Sequence, residues 1–567
     1  MKSRSRRRGR LAGTDRPGAP GPIAPAADET GPATTTPPPG PAHTGDRLLD
    51  WADRFFIPAA LVILLVAAAI RLPELALNPF HHDEGVNGFF TTNLVRDGTY
   101  TYDPANYHGP TLYYFALVSE ILFGLTTEAM RLVPALFGIL LVALVFPLRR
   151  YLGPVVTLTA AALLALSPAE VYVSRYFIHE MLVASLSLAL VVAAIFYLDR
   201  REPRFLLAGA VAAALLFATK ETGIITVAVL LIAVVIAHVY VGLRHPQPRQ
   251  GRRERPVPRR QSVWIDGVEY RAATDSRPGG GNTPIWQSGI PTEHVAGAAV
   301  IFLVIYVLLY SSFFTNFPKG LTDSLATFTI WAQHGESTQV QPFTRYLEWM
   351  IPLDLPILLL GVAGGLIVAI RARDRLSVTI GLWAAGITTA YSLIQYKTPW
   401  IVVNMLIPLA LLAGLAIAEL WRSRLRVAAP VLVVVALAVS GYQAVDLNFN
   451  RYDDQTEAYV YVHSTRDMLS LIDEIEATAA RAGTGKETGI VFVTPDYWPL
   501  PWYFRDYPRA GFFGQIVDTQ EAMIVANVTQ EAELAPKLAG RYDLVRQYNL
   551  RPGVDLALYV RTDIPKA

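Results

Sequence analysis

The chain has 567 residues, 52% hydrophobic and 17% charged, with no cysteine and a net charge of +2. A mean hydropathy of +0.32 excludes an ordinary soluble enzyme, and the lack of cysteine excludes disulfides, thiolate metal ligands and thiol nucleophiles. The small net charge says little, because the arginines are crowded into a few segments.

Residues 1–54 open with Lys2, Arg4, Arg6, Arg7, Arg8 and Arg10 and continue in Pro, Gly, Ala and Thr. Such a composition has almost nothing to bury and predicts a disordered tail. No apolar core follows the basic start until Phe55, so the first apolar segment reads as an uncleaved span with the amino terminus in the cytoplasm.

About eleven transmembrane helices are predicted, near 55–72, 130–148, 153–168, 181–198, 205–219, 223–243, 295–313, 352–370, 376–394, 401–420 and 427–446. Every second loop should then carry the positive charge. Arg149-Arg150, Arg200 to Arg204, Arg244 to Arg277, Arg371 to Arg375 and Arg422 to Arg426 all fall on the inner side of that count. The Arg249 to Arg260 cluster has almost no aromatic residues to stack on bases, so it reads as a topology anchor in a disordered loop, not a nucleic-acid patch.

On the outer side, the loop 73–130 carries His81-His82-Asp83-Glu84-Gly85, then a helical pattern from Asp83 to Arg96 that Gly98 ends. A turn at Tyr102-Asp103-Pro104 leads to Tyr107-His108-Gly109-Pro110, and Thr111 to Leu125 suits a helix lying in the membrane interface. Beyond the last span, 448–567 reads as a small α/β domain outside the membrane. It has an amphipathic helix at Thr465 to Ala482 and strands near Gly489 to Thr494, Met523 to Asn527 and Leu556 to Arg561. Its aromatic stretch Tyr497 to Arg505 suits a seam against the membrane part, 55–447, better than a sugar-stacking surface.

A charged group at span depth costs about 2.5–3.5 kcal/mol and usually has a task. The exceptions share one side: Asp83, Glu84, His108, Arg175, His179-Glu180, Lys220-Glu221, His334 and Lys397. One-sided polarity fits catalysis on a lipid-borne donor better than a path through the bilayer. Transfer of a sugar from a polyprenyl phosphate to an acceptor hydroxyl needs one carboxylate to take a proton and cations to hold the leaving phosphate. Asp83 and Glu84 could equally cap the helix they begin, and Lys220-Glu221 could be a local ion pair. His81, His82 and Glu84 are candidate ligands for a divalent cation, although adjacent histidines point apart and two ligands do not make a site.

With Thr219-Lys220-Glu221-Thr222 and Tyr396-Lys397-Thr398-Pro399-Trp400, these motifs resemble the GT-C membrane glycosyltransferases. They resemble most closely the mannosyltransferase-like family named for a flippase-activity-associated protein of archaeal and bacterial glycosylation. The resemblance implies an all-α polytopic membrane protein with a small extracytoplasmic α/β domain. It also implies an inverting, polyprenyl-phosphate-dependent transferase with a glycan, lipid or protein acceptor and no nucleic-acid partner. By position it makes Asp83 and Glu84 catalytic, and His108, Arg175, Glu180, Lys220, Glu221, Lys397 and Trp400 substrate-binding. A lipid-linked-sugar flippase or a non-catalytic helper of glycan assembly is the alternative.

Overall fold

A computed structural model describes residues 52–105, 108–245, 262–265, 268–271, 289–333 and 340–566. Residues 1–51 of the expected tail 1–54, Tyr107, the Arg249 to Arg260 cluster and His334 lie outside these residues, and residues 52–54 of that tail are helical. In chain order, the membrane part has α1 (Phe56–Arg71), α2 (His82–Asp97), α3 (Thr111–Phe123), α4 (Thr127–Val145), α5 (Pro154–Leu166), α6 (Pro168–Ser174), α7 (Glu180–Arg200), α8 (Pro203–Phe217) and α9 (Gly223–Arg244). A hairpin β1 (Ser262–Ile265) and β2 (Val268–Arg271) follows, then α10 (Thr292–Tyr310), α11 (Lys319–Gln333), α12 (Arg345–Leu353), α13 (Leu355–Arg371), α14 (Arg375–Leu393), α15 (Val402–Arg422) and α16 (Ala428–Val445).

Each of the eleven apolar segments read from the sequence is helical. Among the described residues seven helices are long and apolar enough to cross a membrane, and two bent pairs bring the number to nine. The remaining two are α1 and α8, of 16 and 15 residues. At 1.5 Å per residue neither fills the roughly 30 Å of a hydrocarbon core. Proline at the first position opens α5, α6 and α8, where its missing N–H costs nothing.

The bends lie where polar side chains tie breaks together. α5 and α6 meet at 58° around Ser167, and α12 and α13 meet at 116° at Asp354. Asp354 is fully buried and accepts hydrogen bonds from Ser167 Oγ at 2.6 Å and from the Tyr459 hydroxyl at 2.8 Å. The segment after the last long helix is thereby fastened to both bends. The loop read as inner also departs from the expected disorder, since β1 and β2 pair antiparallel from Ser262↔Arg271 to Ile265↔Val268. The signal for it was present, because Asp266-Gly267 between two short β-prone runs is the strongest short-range hairpin cue.

The carboxyl-terminal part has α17 (Arg466–Arg481), β3 (Ile490–Phe492), β4 (Ala510–Phe512), β5 (Met523–Asn527), α18 (Glu531–Leu538), β6 (Tyr542–Arg551) and β7 (Val554–Arg561). The sheet order is β4-β3-β5-β7-β6, with β3 parallel to both neighbours and β7 antiparallel to both of its own. The apolar face of α17, Met468, Leu471, Ile472 and Ile475, packs with Ile490, Phe492, Met523 and Leu558. The aromatic stretch forms the seam. Phe80 stacks on Trp502 at 5.0 Å, and a Cβ on Gly85 would come within 2.6 Å of Pro499. Gly85 is thus where the carboxyl-terminal part presses against the first turn of α2.

Candidate active site

The site begins with how the chain starts α2. His81 is the N-cap: its Nδ1 accepts the Asp83 N–H at 3.0 Å, and the Glu84 carboxylate accepts the His81 N–H at 3.0 Å, closing a capping box. Glu84 is fully buried and completely engaged. Arg131 donates to it through Nε at 2.7 Å and Nη2 at 2.6 Å, and the Phe177 N–H adds a bond of 2.7 Å. Capping therefore falls to His81 and Glu84, and leaves the Asp83 carboxylate out of it. Asp83 faces a cavity of about 600 Å³, with 42% of its side-chain surface accessible. The surrounding protein still desolvates it, and this burial raises its pKa above the usual aspartate range against the pull of His82.

Two short loops supply the opposite wall. Residues 108–111 run antiparallel to 218–220, with Gly109 N bonded to Thr219 O and Thr111 N to Ala218 O, each at 3.0 Å. A Cβ on Gly109 would fall 2.2 Å from the Ala218 carbonyl oxygen, so the motif needs glycine there. Gly109→Ala is expected to force the loops apart and to abolish or sharply weaken ligand binding in the cavity while the spans remain folded. Ligand titration alongside circular dichroism checks both halves of that statement.

This pairing puts His108 beside Glu221, Nδ1 to Oε2 at 3.5 Å, and brings Lys220 Nζ to Glu180 Oε1 at 2.5 Å. Burial alone would raise the Glu221 pKa, but His108 and then Lys220 outweigh it and hold the group below the ordinary range. Glu180 and Glu221 likewise hold the Lys220 ammonium above its ordinary pKa despite burial. His179 completes this wall, its ring tilted at 60° to that of His108 with centroids 4.8 Å apart. A third, largely apolar wall comes from Tyr346, Tyr391, Leu393, Ile394, Trp400 and Ile401.

Of the nine catalytic and substrate-binding candidates read from the sequence, Asp83, His108, Glu180, Lys220, Glu221 and Trp400 line one cavity, together with His82 and His179. Three do not. Glu84 is spent on Arg131, as above. Arg175 donates to the carbonyls of Ile70, Arg71, Pro73 and Glu74, closing off the end of α1. Lys397 is 2% exposed, and its ammonium donates to the Ile394 and Gln341 carbonyls at the end of α14. Both are cations whose hydrogen bonds go to backbone carbonyls.

The suggested cation-binding trio is dispersed for the same reasons. His81 uses Nδ1 for the cap and Nε2 for the Tyr461 carbonyl at 3.2 Å, leaving no lone pair for a metal, and Glu84 is saturated. Among the described residues no three His, Asp or Glu side chains gather as a metal-ligand set. Burial pushes His82 down to about 4 against the pull of Asp83, so it stands neutral on the cavity wall at pH 7.

Sequence reasoning missed Arg131, Tyr461 and His463. Arg131 lay inside an expected span, and a lone arginine at the start of an apolar run was the available signal. The ring of His463 packs 4.9 Å from His81, across 382 positions of sequence, for which no local pattern exists.

These features define a class. A sequence profile of dolichyl-phosphate-mannose-protein mannosyltransferases matches residues 107–248, which carry His108, Arg175, His179, Glu180, Lys220 and Glu221. Among solved structures, ArnT from Cupriavidus metallidurans bound to undecaprenyl phosphate is 19% identical, with a TM-score of 0.60 over 91% of this chain and 98% of that one. An Archaeoglobus fulgidus oligosaccharyltransferase tethered to an acceptor peptide is 12% identical, with a TM-score of 0.51 over 91% of this chain and 75% of that one. No curated protein sequence gives a significant match. The chain has the GT-C fold of membrane glycosyltransferases.

Proposed function

We propose that this protein transfers a sugar from a polyprenyl-phosphate donor to an acceptor hydroxyl at the outer face of the membrane, with inversion at the anomeric carbon. The observation that carries the reading is the divided cavity, whose lining is polar at Asp83, Glu180, Lys220 and Glu221 and elsewhere aromatic and aliphatic. That division suits a ligand whose head is a sugar phosphate and whose tail is hydrocarbon. ArnT, which shares the fold, binds undecaprenyl phosphate, and this supports the same class of donor here.

The chemistry needs few groups. The acceptor oxygen attacks the anomeric carbon as its proton passes to the Asp83 carboxylate, and the bond from that carbon to the phosphate oxygen breaks. The released polyprenyl phosphate takes up the negative charge, which the Lys220 ammonium is placed to meet, since Glu180 occupies one of its three N–H donors. A single displacement inverts the configuration. The desolvation that raises the Asp83 pKa also makes its carboxylate a stronger base than an ordinary aspartate. Glu84 and Arg131 position this turn without touching the substrate.

Two measurements test the proposal. Purified protein in liposomes, given polyprenyl-phosphoryl mannose and a membrane glycan extract, should release polyprenyl phosphate with transfer of the sugar. Movement of intact donor between leaflets with no release would mean a flippase instead. Lys397→Met is expected to leave donor affinity unchanged and to lower the melting temperature, because its ammonium holds the end of α14. A loss of donor affinity in a stably folded Lys397→Met protein would return this lysine to the site.

A further inference from the structure

Two buried acceptors on the polar wall have no partner among the described residues: His179 Nδ1 and Glu221 Oε1. The two residues are 1% and 5% exposed, and both line the cavity. Their chemistry is settled by their other contacts. His179 Nε2 lies 3.3 Å from the Gly109 carbonyl and must donate to it, so Nδ1 presents a lone pair. Burial, with His108 and Lys220 nearby, keeps this imidazole far below its usual pKa and therefore neutral. Glu221 Oε2 is taken by His108, and Oε1 remains.

A buried acceptor left unpaired costs the desolvation of that atom, and natural structures rarely leave two such atoms on one wall without something to fill them. Both atoms accept, so whatever satisfies them must donate. Resting on the transfer reading above, we infer that His179 and Glu221 form the subsite that reads the donor's sugar, by accepting hydrogen bonds from ring hydroxyls close to its phosphate. The placement fits a sugar 1-phosphate, because His179 and Glu221 line the same cavity as the Lys220–Glu180 pair, and the Lys220 charge lies close enough to act on His179. A phosphate at Lys220 brings the neighbouring hydroxyls of the same ring to these two atoms. The subsite therefore selects a sugar with those hydroxyls free and rejects one that is deoxygenated or alkylated there, since either change leaves a buried acceptor unpaired.

The test uses the full chain in lipid nanodiscs, with farnesyl-phosphoryl mannose, its monodeoxy analogues and farnesyl phosphate as probes. Wild-type protein should bind at least one monodeoxy analogue tenfold or more weakly than the parent. In His179→Phe or Glu221→Gln protein that difference should shrink to about twofold, the non-additivity of a lost direct contact. If every monodeoxy analogue binds wild type within twofold of the parent, the two atoms are served by water and the inference falls while the transfer reading stands. If the parent binds no better than farnesyl phosphate, the sugar is not read at all and the inference again falls. Binding of none of the probes overturns both readings. The deoxy series on wild-type protein decides the matter even where a variant does not fold.

Discussion

Replacing Asp83 by asparagine is expected to lower sugar transfer by about 10²- to 10⁴-fold, the usual worth of a positioned base, with donor affinity nearly unchanged. The amide keeps the size of the side chain and removes its proton affinity. The cap at the start of α2 should survive, since it belongs to His81 and Glu84. The same carboxylate sets the pH dependence. Only its ionised form takes a proton, so activity should fall as pH drops through the raised Asp83 pKa, at a higher pH than an ordinary aspartate near 3.9 would dictate. Stability runs the other way. A carboxyl whose folded pKa lies above its unfolded value binds its proton more tightly in the native state, so stability declines as pH rises through that window. Asp83→Asn removes this penalty and should melt no lower than wild type at neutral pH. Full transfer by Asp83→Asn, or an acid limb that survives the substitution, would count against Asp83 as the base.

Arg131→Met is expected to be the most destabilising single change near the site. It leaves the Glu84 carboxylate buried without its cation, a loss of about 3–5 kcal/mol when one partner of an internal pair is removed. The Leu75, Asn78 and Pro79 carbonyls lose their donor as well. Adding Glu84→Gln should restore part of the stability, because a neutral amide costs less to bury than an unpaired charge. Thermal unfolding of the single and double variants measures this, and an unchanged melting temperature in Arg131→Met would mean that the pair contributes nothing.

What the sequence disclosed followed from local chemistry. Apolar runs located the helices, Gly98 ended α2 as expected with φ of 70°, and clusters of charge in an otherwise apolar chain marked the cavity wall at His108, Glu180, Lys220 and Glu221. The lengths of α1 and α8, 16 and 15 residues, were not legible, because composition alone does not fix where an apolar helix ends. Two strands of the carboxyl-terminal sheet were also missed, besides the β1–β2 hairpin. β4 is only Ala510–Phe512, with a central glycine, and β6 is an edge strand whose exposed run from Leu544 to Gln547 breaks the alternation a sequence pattern needs. The roles of Glu84, Arg175 and Lys397 were hidden for a different reason. A charge beside an apolar run looks the same whether it faces a ligand or a set of backbone carbonyls, and only the packed structure separates the two.

The hold of Tyr461 and His463 on His81 bears on the order in which the protein is made. Asp83 leaves the ribosome early, yet the carbonyl that receives a hydrogen bond from His81 follows 380 residues behind it. The proline that rests against Gly85 comes later still. Nascent chains that have inserted most of their helices therefore still lack the parts that set the first turn of α2, and the site is completed only as the last segment folds onto it. A polypeptide stalled or cut short before residue 461 would hold its membrane helices with the start of α2 still unset.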